Sequence, residues 1–267
     1  MFPFGSKNVN WKGIEKRDDE LKAQFIKQEM TLLKQEYEYY QEAGRTERDF
    51  KKECHVLDIN NDGLNDIIYT GSTGGDGFEV LVFLNTAKGF KEIFKEVQYL
   101  RKIELKDNKL YRLYILDDGC CADYVDFNKI YQLDYLSDAP KFKLVYLTSN
   151  LHNGYFPKKY FSSPVYFEVL NDNYKMRKSP IIDDTTKNAV QDIQFKGNNI
   201  DTLMKGTKGR AIASQTDKTG RVWWLVEIDT TYKKFGVLFY DPLGDSTHTA
   251  SKMGWISSRF VKRLDAQ

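Results

Sequence analysis

Asp58, Asn60, Asp62 and Asp66 stand at alternate or near-alternate positions of the run Asp58-Ile59-Asn60-Asn61-Asp62-Gly63-Leu64-Asn65-Asp66. Four short oxygen-bearing side chains at that spacing can meet one hard cation; Gly63 permits the turn with φ > 0, and the Leu64 backbone carbonyl can supply a further oxygen. The chemistry this predicts is calcium binding, with the ion bracing the fold rather than reacting. An acidic turn, with Asp and Asn chosen for turn propensity alone, is the simpler alternative; four donors at ligand spacing plus the glycine weigh against it. The run is not an EF-hand, because the twelfth position counted from Asp58 is Tyr69, which cannot supply the bidentate carboxylate of that motif.

Other reactive residues are sparse. His55, His152 and His248 fall in three different segments, and neither a metal-ligating histidine pair nor a phosphate-binding glycine loop occurs. Cys54, Cys120 and Cys121 allow a bridge from Cys54 to either neighbour, a vicinal bridge, or three reduced thiols. A thiol peptidase would use Cys120 or Cys121 with His152. The acidic surroundings Asp117, Asp118 and Asp123 oppose the thiolate such an enzyme needs, so a non-enzymatic protein is expected. Asp117, Asp118, Asp123 and Asp126 could also form a second, weaker cation site, or simply a solvated acidic turn.

These residues must be positioned by a chain of 267 residues, 41% hydrophobic and 14% aromatic, which is ample for packed cores. Lys and Arg number 40 against 38 Asp and Glu, a net charge of +2 with no clustered basic stripe, which argues against a nucleic-acid partner. No apolar run is long enough to span a membrane, and the first residues lack the layout of a secretory signal. A calcium loop of modest affinity suits a calcium-rich exterior better than cytosol. The expected location is therefore the periplasm or cell surface, with a signal or lipid-anchor segment removed ahead of Met1.

Leu21, Phe25, Met30, Leu33, Tyr37 and Tyr40 recur every three to five residues, predicting an amphipathic helix over Asn10–Ala43 that stops at Gly44. From Cys54 to about Phe167, short β-branched and aromatic runs predict strands at Asp66–Thr70, Phe78–Asn85, Gln98–Lys106, Lys109–Leu116, Ile130–Tyr135, Lys141–Thr148 and Val165–Val169. Asp107-Asn108 reads as a two-residue hairpin turn. The expectation for residues 1–165 is an α+β domain, an amphipathic helix plus an antiparallel β-sheet carrying the calcium loop.

Leu57–Tyr69 followed by Phe78–Asn85 resembles an FG-GAP (VCBS-type) repeat, the integrin-like propeller blade, over roughly residues 55–90. The resemblance implies that Asp58, Asn60, Asp62 and Asp66, with the Leu64 carbonyl, are the calcium ligands. A single copy occurs, so a lone blade-like hairpin is expected rather than a propeller. Further on, Arg177-Lys178-Ser179-Pro180, Lys205-Gly206-Thr207, Trp223-Trp224-Leu225-Val226 and Gly254-Trp255-Ile256 are similar to a bacterial SH3 domain. That likeness implies an all-β SH3-like barrel over 166–267 that takes a peptide, peptidoglycan or another protein as ligand. One of Trp223 and Trp224 should face outward, since neighbours on a strand alternate faces. Trp223, Trp224, Trp255 and Tyr240 are the expected ligand-binding residues, although an outward tryptophan could equally pack on the first domain. The stretched segments 183–198 and 229–252 could line the groove or extend outward as hairpins. The combined expectation is an envelope-associated binding protein; an immunity protein for a secreted effector and a cysteine peptidase are the alternatives.

Overall fold

Short apolar runs build the first sheet: β1 (Cys54–Leu57), β2 (Asp66–Tyr69), β3 (Glu79–Thr86) and β4 (Gly89–Val97) pair antiparallel in chain order. Every residue of β1 and β2 and the first six of β3 are buried, because both faces of the sheet are covered. Cys54, Val56, Ile67, Tyr69, Leu81 and Phe83 face one core, with Leu21, Phe25 and Ile26 of α1 (Asp19–Glu29) and Phe50 of α2 (Glu47–Lys52). Leu57, Ile68, Val80, Val82, Leu84 and Phe94 face another, completed by Leu100 and Ile103 of β5 (Tyr99–Lys106), Leu110, Leu113 and Ile115 of β6 (Lys109–Asp117), and Leu133. The β5–β6 turn places Asp107 at φ 53° and Asn108 at φ 59°, the left-handed pair a two-residue hairpin requires.

The computed structural model describes residues 1–5, 8–29, 38, 41–42, 44, 46–73, 77–118, 125–135, 140–190, 193–228 and 251–265. They divide into two units, Met1–Cys120 with Lys129–Tyr146, and Cys121–Asn128 with Leu147–Gln267. Strands β7 (Val125–Asp134) and β8 (Lys141–Leu151) contribute residues to both.

The expected fold class is overturned. The chain is mostly β, and its first unit is not the helix-plus-sheet domain anticipated. The helix starts at Asp19, not Asn10, because Asp18 caps it: the Leu21 backbone N–H donates to Asp18 Oδ1 at 2.9 Å. Upstream, the chain turns at Trp11 and then bonds alongside β1, the Lys16 N–H donating to the Val56 carbonyl at 2.8 Å. Leu21 and Phe25 are buried as expected; Met30, Leu33, Tyr37 and Tyr40 lie outside the described residues.

In the second unit β9 (Val165–Val169), β14 (Lys208–Thr216), β15 (Val222–Ile228) and β16 (Ser251–Ser257) are successive antiparallel neighbours, with β17 (Val261–Arg263) on the outer edge of β9. A barrel would need the sheet to return on itself, and among the described residues no sheet closes. The edge of β16 is instead taken by β8, in parallel at Ser251↔Thr148 and Lys252↔Ser149, and by a contact at Trp255 with β10 (Tyr174–Arg177). β10 also pairs with β13 (Asn199–Leu203), while β11 (Lys187–Val190) and β12 (Ile193–Lys196) make a separate hairpin within the stretched segment 183–198. The core gathers Phe167, Met176, Ile200, Leu203, Trp224, Val226 and Ile256.

Two outcomes follow from this packing. A Cβ at Gly209 would lie 2.5 Å from the Glu227 carbonyl oxygen, which is backbone of the neighbouring strand. Gly209→Ala should therefore cost about 1–3 kcal/mol in denaturant titration. In the first unit, His55 Nδ1 faces Glu15 Oε2 at 3.2 Å and Nε2 faces Thr70 Oγ1 at 3.1 Å. Burial pushes its pKa down to about 4, against the pull of Glu15. Burial would raise Glu15, but hydrogen bonds from Lys22 and His55 leave it lowered. Above pH 4 the imidazole is neutral, so Lys22, at 2.7 Å, carries the ion pair. A depressed histidine binds fewer protons folded than unfolded, so stability is present above about pH 6.5 and declines as pH falls toward 4. The loss should be on the order of 2–3 kcal/mol, and His55→Gln should flatten that part of a stability–pH curve measured by thermal unfolding.

Candidate metal loop and ligand clefts

The loop between β1 and β2 is folded by its own acidic side chains. Asp58 accepts from the Asp62 and Gly63 backbone N–H groups, both at 3.1 Å, and Asn60 Oδ1 also accepts from Asp62 N–H at 3.1 Å. Asp62 Oδ1 accepts from Leu64 N–H at 2.8 Å, and Asn60 Nδ2 donates to Asp62 Oδ2 at 2.8 Å. Asn61 at φ 59° and Gly63 at φ 89° supply the two left-handed positions that curl it. Leu64 leaves its side chain exposed.

Asp66 behaves differently. It is fully buried, and its carboxylate is turned onto the backbone, accepting from Ile59 N–H at 2.7 Å and Asn85 N–H at 2.8 Å. Burial pushes its pKa up to about 6, opposed by those two hydrogen bonds and reinforced by the nearby charges of Asp62 and Asp58. Asp58, Asn60 and Asp62 are thus drawn together on the exposed side, and Asp66 anchors the loop from beneath. Among the described residues, no group of three His, Cys, Asp or Glu side chains stands close enough to hold a metal. The donor set suits calcium chemically, three carboxylates and an amide oxygen being hard ligands, whereas the position of Asp66 fits it only in part.

The expectation of an exposed tryptophan is corrected. Trp223 and Trp224 do point to opposite faces, but both faces are covered, leaving them 1% and 4% exposed. Trp224 packs on Phe167 with Arg263 over its ring. Trp223 donates its indole N–H to Asp217 Oδ2 at 2.8 Å and has the Arg221 guanidinium 5.8 Å from its ring. Trp255 is fully buried, donates to the Tyr155 carbonyl at 2.8 Å, and borders a crevice of only about 10 Å³. Tyr240 and the segment 229–250 lie outside the described residues.

Trp223 nevertheless forms one wall of a cleft of about 220 Å³, together with Tyr174, Lys175, Arg177, Ile182 and Arg221. Arg177 is buried and committed to Asn198, the Asp183 carbonyl and Asp184, and Lys175 also reaches Asp184. Arg221 Nε is buried without a hydrogen-bond partner among the described residues. Nothing in the sequence separates the committed Arg177, on β10, from Arg221, which precedes β15; the partners each meets in the fold decide it.

Cys54 is a free, buried thiol whose burial pushes its pKa up to about 12, which suits packing rather than nucleophilic attack. Cys120, Cys121 and Asp123 lie outside the described residues. The four acids considered as a second cation site have other partners where described: Asp117 holds Lys129 at 2.9 Å, and Asp126 Oδ1 holds His152 Nδ1 at 2.7 Å. Asn150 and Asn128 extend the Asp126 network, Asn150 donating to Asp126 Oδ2 at 3.1 Å and Asn128 to Asn150 Oδ1 at 2.7 Å. This buried polar chain has no signature in sequence, since its members come from two strands and a turn.

No helix among the described residues is long and apolar enough to cross a membrane. No family model matches the chain, and no solved structure matches it. Over 53 residues, 20% of its length, the chain is 43% identical to a T-cell immunomodulatory protein homolog of Plasmodium falciparum (isolate 3D7). The match spans 7% of that protein, so it is a likeness of one short segment.

Proposed function

We propose that this protein is a non-enzymatic binding protein of the bacterial cell envelope, braced by calcium at the Asp58–Asp66 loop. Its second unit takes a peptide, cell-wall or protein ligand in the cleft beside Trp223. The observation that carries this reading is the meeting of Trp223 and Tyr174 with Arg221, whose Nε is buried and unpartnered among the described residues. A guanidinium beside aromatic faces suits a peptide carboxylate that also has apolar surface to cover. A periplasmic or surface location follows from the loop, because a site of modest calcium affinity fills outside the cytosol.

The calcium part is supported by the hard-oxygen set of Asp58, Asn60, Asp62 and Asp66 and by the FG-GAP-like spacing. When bound, the ion would offset the mutual repulsion of the loop carboxylates. Asp58, Asn60 and Asp62 would hold it from the exposed side and Asp66 from the buried side.

Calcium at about a hundred times its dissociation constant should stabilise the protein by about 2.7 kcal/mol, seen as a higher unfolding temperature that chelator reverses. Asp62→Ala should remove the calcium response; an equal response in that variant would dismiss the loop as the site. For the ligand, co-sedimentation with isolated peptidoglycan sacculi in millimolar calcium should pull down the wild-type chain. Arg221→Gln should weaken the association by about tenfold, the scale of one charge-assisted contact. Absence of sedimentation by the wild type would leave a protein partner as the ligand class.

A further inference from the structure

Strand alternation gives the first sheet two unlike faces near the start of β3. Cys54, Tyr69 and Leu81 point into the core shared with α1, and Glu79 leaves on that same side, its carboxylate meeting Lys95 Nζ at 3.0 Å. His55 takes the opposite side, with Thr70 and Phe78 one step beyond β2 and before β3, and these three line a cleft of about 420 Å³. The rest of its lining comes from the N-terminal segment, with Asn8 and Trp11, and from the link between β4 and β5, with Gln98 and Tyr99.

The cleft offers ring surface but no parallel slot. Trp11 lies on His55 with ring centres 3.6 Å apart and planes 10° from parallel, so that pair is already closed. Phe78 is 40% exposed and meets Tyr99 at 4.8 Å with the planes tilted by 33°.

Its hydrogen-bonding capacity is mostly uncharged and partly unspent. The Glu15 carboxylate only accepts, so the proton of the neutral His55 ring sits on Nδ1, and Nε2 takes the Thr70 hydroxyl proton. Thr70 Oγ1 keeps lone pairs for an incoming donor. The side-chain amides of Asn8 and Gln98 make no hydrogen bond among the described residues, and each brings donors and an acceptor. Gln98 is held at φ 100°, a conformation a non-glycine residue rarely adopts, with its backbone N–H on the Phe78 carbonyl at 2.6 Å. Strain is tolerated here to place this residue against Phe78.

These observations select one ligand chemistry. A purely apolar molecule would bury the amides unpaired. An anion would meet Glu53 with no cation in the lining, a cation would compete for a Glu53 carboxylate that already has a partner, and a flat heterocycle has no slot to enter. What fits is a neutral molecule with an apolar face and a rim of hydroxyls. A pyranose has that form: the C–H groups of one face lie against an aromatic ring, and the hydroxyls around it reach amide, hydroxyl and carboxylate groups. The volume is that of a small-molecule site.

We propose that this cleft binds a neutral pyranose sugar, with its C–H face on Phe78 and its hydroxyls on Gln98, Asn8 and Thr70. The site is separate from the Trp223 cleft and stands whether or not that reading holds.

The test titrates the methyl pyranosides of glucose, galactose, mannose, fucose and N-acetylglucosamine into the full chain, reading backbone, side-chain amide and indole N–H shifts by NMR. At least one should saturate in the millimolar range, with shifts centred on Trp11, Gln98 and Tyr99. Sorbitol carries the hydroxyls without the ring face and tetrahydropyran the ring without the hydroxyls; each should bind at least about tenfold more weakly. The linear trisaccharide of the best pyranoside distinguishes the source: tighter binding assigns a glycan chain, equal binding a free sugar, and both support the site. Gln98→Gly removes the amide at a backbone angle that glycine adopts freely, so it should weaken binding about five- to tenfold without lowering the unfolding temperature. Phe78→Ser should abolish saturation, and Gln98→Gly keeps the test open if that variant fails to fold. Saturation by none of the pyranosides, equal binding of either control, or unchanged affinity in Gln98→Gly or in folded Phe78→Ser would overturn the assignment.

Discussion

The first unit depends on the burial of one carboxylate. Asp66 is removed from water, a costly placement for a charge, and its two oxygens accept from backbone N–H groups on either side, Ile59 in the loop and Asn85 at the end of β3. Those bonds lock the loop to the sheet. With the Ile59 N–H held, its carbonyl accepts from Leu110 N–H and from the Tyr135 hydroxyl, both at 2.8 Å. The single Tyr135 hydroxyl proton is shared with the Leu110 carbonyl, also at 2.8 Å, so the start of β6 is fixed to the same peptide unit. Moving Asp66 would therefore disturb the loop, the β2–β3 pairing and the second face of the core together.

The same economy of paired charge recurs through the unit. Lys129 is nearly buried between Glu96 and Asp117, and Glu96 also accepts from the Tyr131 hydroxyl. A nearly buried ammonium is tolerable because two carboxylates accept from it. Against that background Glu79 Oε1 stands apart, buried with no hydrogen-bond partner among the described residues.

In the second unit the decisive fact is where the edge of β16 goes. A strand paired in parallel with β8 is no longer free to complete a closed barrel, and the tryptophans that would line a small barrel become the filling of an open, two-sided sheet. Asp217 receives the Trp223 indole, and the Arg221 and Arg263 guanidiniums cover the Trp223 and Trp224 rings. Beside Trp223 the sheet leaves a cleft of about 220 Å³ lined in part by Lys175, Arg177 and Arg221.

Local chemistry was legible in the sequence wherever a feature depends on neighbouring residues. The curl of the Asp58–Asp66 loop, the Asp107-Asn108 hairpin and strand β9 follow from side-chain spacing, turn chemistry and strand-forming runs. Strand β4 was not legible, because Gly89–Val97 alternates charge with apolar residues on an edge that only β3 explains. The late start of α1 was not either: an apolar rhythm continues through Trp11 and Ile14, yet Asp18 caps the helix and Lys16 bonds to β1. What tertiary structure alone decided is which polar groups lose their water and which edges find partners. Asp66 and Glu79 are both acids at strand starts, and only long-range packing gives one two backbone donors and leaves the other with one oxygen that has no partner among the described residues. Burial and pairing across long sequence separations are sums over the whole fold, so a local pattern of residue types cannot encode them.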